Sequence, residues 1–166
     1  MEYAFNLDMF STTLQTQATV TSMDDSRVSH KATRTSTHAK QECQKVLASI
    51  VEKSAAIRFA SVALVDGRSF AHANSVSHDA DAQRSAALMS SLLGLVESFS
   101  REALGSKALY NSIATEHGSI VVVRVPTMAR MHTLCICADA SDNLAMTIRT
   151  ALDNAAQIAL LIDADH

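Results

Sequence analysis

Residues that interrupt regular structure are scarce in this sequence. It has one proline and four glycines in 166 residues, so we expect long helices and strands joined by short turns. Tryptophan is absent and aromatic residues make up only 4%, so the core must be built from Ala, Val, Leu, Ile and Met. The content of 48% hydrophobic and 19% charged residues is typical of a globular protein. The length indicates one domain, with room for a tail.

The sequence also gives no sign of a basic surface, a secretory leader or a membrane span. The net charge of −3 argues against a dedicated nucleic-acid binder, which usually carries a basic footprint. The N-terminus MEYAFNLDMF has neither a basic region nor a long apolar run, so we expect no secretory signal. The longest apolar runs, such as SIVVVRV and IALLI, are far too short to cross a bilayer, so we expect no membrane insertion.

Cysteines are few and odd in number. Cys43, Cys135 and Cys137 do not make a disulfide framework, which predicts reduced thiols and a cytoplasmic protein. On a strand, Cys135 and Cys137 point to one face and His132 to the other, so a local His-Cys-Cys metal site fails on geometry. We interpret both thiols as small buried hydrophobes, and we predict neither a metal nor a cofactor.

Motifs of the common catalytic classes are absent as well. No G-x-x-x-x-G-K-[ST] loop occurs, so the chain is not itself a GTPase, and neither G-x-S-x-G nor H-E-x-x-H is present. Asp79 and Asp81 are interpreted as helix caps rather than as paired catalytic carboxylates. Arg68, Arg124 and Arg130 are arginine-finger candidates by residue type only, and ordinary surface or sheet positions suit them better. We therefore predict a protein that is not an enzyme and has no catalytic residues.

The composition changes near His38. Residues 11–37 are crowded with Ser and Thr, and their apolar residues follow no sustained period. Such a segment cannot bury enough apolar surface to offset the entropy of ordering it. We predict a disordered, Ser/Thr-rich tail over 1–38 and a folded domain over 39–166.

From Lys40 onward, hydrophobic periodicity and turn residues predict eight elements. The pair Asp66-Gly67 is a strong hairpin signal because both residues tolerate positive φ. Gly105 is a suitable end for the second helix. The predicted elements are, in order, a helix over 40–55, strands over 59–65 and 68–76, a helix from Asp79 or Asp81 to Leu104, strands over 109–116, 119–125 and 131–138, and a helix from Ser141 or Asp142 to Ile162.

The predicted sheet is antiparallel because hairpins join its strands. Strand 119–125 is apolar on both faces, and a strand of that kind is buried on both sides. The simplest fold is an α+β three-layer sandwich with a five-stranded antiparallel sheet and helices on both faces, in the order α-β-β-α-β-β-β-α.

The middle helix carries two apolar stripes, and one of them would be exposed in a monomer. A contiguous exposed apolar patch usually marks an interface. The following strand, 109–116, is more polar than its neighbours, as expected of an edge strand that is open to pairing with another chain. One stripe is Leu88, Leu92, Leu95 and Phe99. From the other stripe and the edge strand we predict an isologous two-fold interface formed by Ala86, Met89, Leu93, Val96, Leu109, Asn111 and Ile113.

Three runs of the sequence resemble Roadblock (dynein light-chain) domains. VLASIVEKSAAIRFASVALVDGRSFAHA is similar to their opening helix and to two strands joined at Val-Asp-Gly. DADAQRSAALMSSLLGLVESFSREAL is similar to their long middle helix. SIVVVRV followed by LCICADASDNLAMTIRTAL resembles their last strands and their terminal helix, which opens here with Asn143-Leu144. The resemblance covers about residues 44–162.

The resemblance implies a profilin-like fold and a homodimer whose middle helices pack together and whose edge strands join into one sheet. Members of the family bind small Ras-like GTPases, serve in dynein and lysosomal scaffolds, or activate a GTPase, and they share no fixed catalytic residues. The implied function is a non-enzymatic, homodimeric protein-interaction module that regulates or scaffolds a small Ras-like GTPase. Profilin-like and longin-type relatives imply an alternative, a ligand-sensing or signalling domain with a pocket lined by Met131 and Cys135.

Overall fold

The structure is a computed structural model that describes residues 26–129 and 131–164, with side chains described from Thr37 onward. The predicted order α-β-β-α-β-β-β-α is confirmed. The elements are α1 (Ser26–Lys53), β1 (Ile57–Leu64), β2 (Ser69–Asn74), α2 (Ala82–Leu104), β3 (Tyr110–Thr115), β4 (Gly118–Arg124), β5 (His132–Asp139) and α3 (Leu144–Asp163).

Helix α1 begins at Ser26, well before the first helix predicted from the sequence. The predicted boundary between tail and domain, after residue 38, therefore falls inside this helix. Ala39 and Cys43, one turn apart, are both buried. Once that packed part has formed, each further residue adds one backbone hydrogen bond, so a segment without an apolar stripe can extend the helix. Residues 1–25 lie outside the described part, and a disordered tail there stays a prediction.

The five strands form one antiparallel sheet in the order β2-β1-β5-β4-β3. The last strand in the chain, β5, therefore lies in the middle and pairs with both β1 and β4. The β1–β2 hairpin turns at the predicted Asp66-Gly67, where Gly67 has a φ of 87°. The β3–β4 hairpin turns at Glu116-His117, since Thr115 pairs with Gly118. The predicted five-stranded antiparallel sheet is confirmed.

Helices cover both faces of the sheet. On one face, α1 and α3 pack over the main core, which includes Leu47, Ile158 and Ile136. On the other face lies α2, over a smaller cluster that includes Met89 and Val122. The predicted three-layer α+β sandwich is therefore confirmed, and its two faces are unequal: one helix has to cover the second face by itself.

Capping residues fix the ends of α2 and the start of α3. The Asp81 carboxylate accepts a hydrogen bond from the Arg84 backbone N–H at 2.9 Å, so Asp81 rather than Asp79 is the cap. Gly105 adopts the left-handed conformation, with a φ of 63°, and ends the helix as predicted. Asn143 caps α3 by accepting from the Ala145 N–H at 2.9 Å.

Candidate protein-interaction surface

Three polar residues at intervals of seven hold one side of α2 against its own sheet and hairpin. The Gln83 carboxamide donates to the Gly67 carbonyl at 2.9 Å. The Ser90 hydroxyl donates to the Val65 carbonyl. Glu97 accepts from Arg124 of β4. Residues seven apart lie on nearly the same side of a helix, so these contacts set the rotation of α2 about its axis.

The stripe of α2 that was predicted to meet a partner packs inside its own protomer. Ala86, Met89 and Leu93 are only 1%, 6% and 5% exposed, and Ala86 and Met89 pack against Ala63, Val122 and Cys135 of the sheet. Side chains enclosed by their own sheet leave little surface for a second chain, and the place of these three residues in a dimer interface stays a prediction. Val96 is half-buried at the border of this stripe.

The opposite side of α2 carries the exposed apolar side chains. Leu88, Leu95 and Phe99 are 65%, 71% and 73% exposed, and Leu92 is half-buried between them. We call these four residues the outer row of α2. They recur at intervals of four, three and four residues and so form one continuous apolar stripe. This stripe, rather than the inner one, is the apolar surface that α2 leaves exposed.

The edge position of β3 is confirmed, since it is the last strand in the sheet order. Of the residues predicted there for the interface, Leu109 and Ile113 are 82% and 39% exposed and Asn111 is half-buried. Ile113 pairs with Ile120, which packs against the cluster under α2. Paired residues of an antiparallel sheet share a face, so Ile113 and α2 lie on the same side of the sheet.

Hydrophobicity could not show which of the two stripes of α2 packs against the sheet, because both stripes are apolar. The buried stripe also ends in a charged residue, Glu97. One signal in the sequence could have helped. Gln83, Ser90 and Glu97 recur every seven residues, and each can form a hydrogen bond to a backbone group or to a cation. That pattern places the anchored side of the helix on the inner stripe.

The arginine candidates are distributed over separate places. Arg68 lies in the β1–β2 hairpin, where its side chain is bonded to Asp66 at 2.8 Å; this hydrogen bond lowers the pKa of the Asp66 carboxyl. Arg124 is engaged with Glu97. Arg130 lies outside the described residues. Arg68 and Arg124 are thus each paired with a carboxylate of the same chain, which suits their interpretation as ordinary surface and sheet residues.

The two strand cysteines lie together beneath α2, and their Sγ atoms are 3.9 Å apart. Cys135 is buried and Cys137 is half-buried. The hydrogen bond between the thiols lowers the pKa of Cys137 and, together with burial, raises the pKa of Cys135.

His132 is stacked edge-on against Phe70, with ring centroids 5.0 Å apart. In the part of the chain that the structure describes, no three His, Cys, Asp or Glu residues group to hold a metal.

The ligand pocket expected around Met131 and Cys135 does not form between these two residues. Cys135 is 3% exposed and is enclosed by Met89, Ala86 and Val122, so α2 fills the space beside it. Met131 is 44% exposed, and its carbonyl accepts a hydrogen bond from the Val65 N–H at 2.9 Å.

Across the described ranges, none of the helices combines the length and apolar character that a membrane span requires.

Several solved structures share this architecture. A structure described as MglB with tetrameric arrangement has a TM-score of 0.68 and 14% identity, covering 77% of this chain and 93% of that chain. The gliding protein MglB from Thermus thermophilus has a TM-score of 0.64 and 14% identity, covering 77% and 93%. A Roadblock/LC7 domain from Streptomyces avermitilis has a TM-score of 0.58 and 17% identity, covering 73% and 92%.

The likeness is one of structure and not of sequence. No protein-family model matches the chain, and no curated protein matches it. Each of the three solved structures is nevertheless covered almost completely, and all have MglB or Roadblock/LC7 in their description. The chain therefore has a Roadblock-type fold.

Proposed function

We propose that this chain is a non-enzymatic, homodimeric protein-interaction module that regulates or scaffolds a small Ras-like GTPase in the cytoplasm. The observation that carries the proposal is the outer row of α2. Leu88, Leu95 and Phe99 are each about two-thirds exposed or more, on a helix whose other side is fixed to its own sheet. Burying one such side chain stabilises by about 1.5–3 kcal/mol, so a row of them left in water favours association.

A second copy of the chain is the partner that best fits this surface. The outer row and the Ile113 side chain of the edge strand β3 lie on the same side of the sheet, and exposed Leu109 lies just before that strand. In a two-fold arrangement each copy would offer the same helix and the same edge to the other, so the contact closes on itself. The description of one similar structure as tetrameric supports self-association in proteins of this architecture.

The GTPase part of the proposal rests on an analogy from fold to function. The Roadblock-type fold and the sequence resemblance support an interaction module. The described residues also hold no group of ligands for a metal, and the sequence has no phosphate-binding loop. A chain of this kind would act by binding a nucleotide-hydrolysing partner and not by binding nucleotide itself. The ligand-sensing alternative has less support, because the space beside Cys135 is filled by α2.

The dimer is tested by light scattering and sedimentation equilibrium at micromolar concentration. We expect Leu95→Glu to raise the dimer dissociation constant about 100-fold or more, because the residue occurs twice in a two-fold interface. Leu160→Glu is the matched control, since Leu160 is 73% exposed, close to the 71% of Leu95, but lies on α3 across the sheet. A monomeric wild-type protein, or equal effects of the two substitutions, would show that the outer row is not the interface.

The GTPase partner is tested separately. Ras-like GTPases encoded in the same genome are purified, and binding and GTP hydrolysis are measured with and without this chain. We expect one of them to bind in a nucleotide-dependent manner and to lose that binding with Leu95→Glu but not with Leu160→Glu. If none binds while the chain is dimeric, the interaction-module proposal survives and its GTPase part is rejected.

A further inference from the structure

The two edge strands of the sheet are treated differently by the rest of the chain. Strands β2 and β3 are the outermost strands, and each has backbone groups that the sheet itself does not use. An unprotected edge is a template for pairing with another chain. The side chains around β2 and β3 decide which of these templates is available.

At β2, carboxamide side chains occupy the free backbone groups. The Gln44 side chain, from α1, accepts a hydrogen bond from the His72 N–H at 3.2 Å and donates one to the His72 carbonyl. A residue of a neighbouring antiparallel strand would exchange this same pair of bonds with His72. Gln44 thus stands where an added strand would have to bind.

A second carboxamide acts at the start of β2. Gln83, from α2, accepts from the Ser69 N–H at 3.1 Å and donates to the Gly67 carbonyl at 2.9 Å. At the end of the strand, the Asn74 side chain is hydrogen-bonded to the N–H and carbonyl of Ala80, which ties the following loop to the strand. Helices from both faces of the sheet therefore converge on this one edge.

Strand β3 has no such protection in the described structure. No described side chain is hydrogen-bonded to the backbone of residues 110–114; the nearest such bond, from Thr115 to the Gly118 carbonyl, lies inside the hairpin. The exposed residues at β3 are also more apolar, with Leu109 at 82% and Tyr110 at 42%. One edge is closed by side chains of its own chain, and the other is open.

We propose that Gln44 and Gln83 close the β2 edge to strand addition, so that copies of this chain join through β3 alone and stop at a closed pair. If both edges were open, the β3 edge of one copy could pair with the β2 edge of the next. Such a heterologous contact does not close and leads to filaments. The inference rests on the homodimer proposed above and adds what limits it to two copies.

The test compares the wild-type protein with Gln44→Ala and with Gln44→Ala combined with Gln83→Ala. Gln41→Ala is the matched control, since Gln41 is an exposed glutamine on the same helix. Masses are measured by light scattering over a range of concentrations, and circular dichroism establishes that each variant is folded. We expect the wild type and Gln41→Ala to reach the mass of two chains and the double variant to exceed it increasingly with concentration.

Hydrogen exchange at the His72 amide provides a second readout. An amide bonded to Gln44 should exchange slowly in the wild type and at least about tenfold faster in Gln44→Ala, because the strand edge then meets water. A folded double variant that stays at two chains, or a His72 amide that already exchanges fast in the wild type, overturns the inference. A monomeric wild type would instead reject the proposed dimer. In that case, an increase in the mass of the double variant with concentration would still support the closed β2 edge.

Discussion

Arg124, the last residue of β4, donates two hydrogen bonds to one carboxylate oxygen of Glu97 on α2, from Nε at 3.3 Å and from Nη2 at 3.1 Å. Glu97 is 8% exposed, and its other oxygen lies 3.7 Å from the guanidinium of Arg101. The pair fastens the C-terminal half of α2 to the sheet. It also completes the polar series that turns the inner stripe of α2 inward and the outer row outward.

Replacing Arg124 by Ala should destabilise the fold. Glu97 would keep only its longer contact to Arg101, and a buried carboxylate that loses its hydrogen-bond donors costs about 1–3 kcal/mol. Urea unfolding followed by circular dichroism measures this loss. Arg149→Ala is the control, because Arg149 is 75% exposed in its ion pair with Asp153 and surface pairs contribute about 0–1 kcal/mol. Equal midpoints for the two variants would show that the Glu97 contact is not a significant anchor.

Features that depend on neighbouring residues were predictable from the sequence. The turn at Asp66-Gly67, the cap at Asp81 and the helix end at Gly105 each rest on the conformational preferences of one or two residues. For the same reason the number, order and type of the elements could be predicted. The antiparallel sheet followed from the short connections between successive strands, which only hairpins can make.

Features that depend on distant contacts were not predictable. The rotation of α2 depends on a pair between Glu97 and Arg124, which are 27 residues apart, and hydrophobicity alone did not distinguish the two apolar stripes. The protection of β2 by Gln44 joins residues 28 positions apart. The central place of β5 also had no local signal, because it is determined by pairing with β1 at the other end of the chain.

Two glycines should respond in opposite directions to replacement by Ala. At Gly118, with a φ of 149°, a Cβ would lie 2.0 Å from the Ala138 carbonyl oxygen, so we expect a loss of about 1–3 kcal/mol from strain at this backbone conformation. Gly94 is exposed inside α2 and a Cβ there meets nothing within 4 Å. Gly94→Ala should therefore stabilise by about 0.5–1 kcal/mol through helix propensity.

Thermal and urea unfolding of both glycine variants check these signs. The protein concentration must be the same in all of these measurements, because self-association would change the apparent stability. If Gly94→Ala destabilises while its circular dichroism is unchanged, a partner chain approaches α2 at that position more closely than a methyl group allows. If Gly118→Ala is neutral, the β3–β4 turn adapts without strain.

The three thiols should react at different rates with iodoacetamide. Cys137 is half-buried and its pKa is lowered by the hydrogen bond from Cys135, and the thiolate is the reactive form. Burial raises the pKa of Cys43 from 9.0 to about 11, and Cys135 is both buried and raised. At pH 8 we expect Cys137 to be alkylated first, as read by mass spectrometry of peptides. Alkylation of Cys43 before Cys137 would contradict this order, and Cys137→Ala controls for unfolding-dependent labelling.

Asp139 should make the stability of the fold sensitive to acid. Its carboxylate accepts hydrogen bonds from the hydroxyl and backbone N–H of Ser141, the latter at 2.9 Å, and from Arg58. These bonds to Ser141, and then the Arg58 guanidinium, lower its pKa below the ordinary 3.8. A group with a lowered folded-state pKa contributes stability that is present above the ordinary pKa and is lost as pH falls through the folded one.

Unfolding midpoints of the wild type and Asp139→Asn should therefore differ at pH 6 and converge below pH 3.8. Asp153→Asn controls for the loss of an exposed negative charge, and a gap between wild type and Asp139→Asn that stays constant down to the acid limit would show that the protonation of Asp139 is not what acid changes.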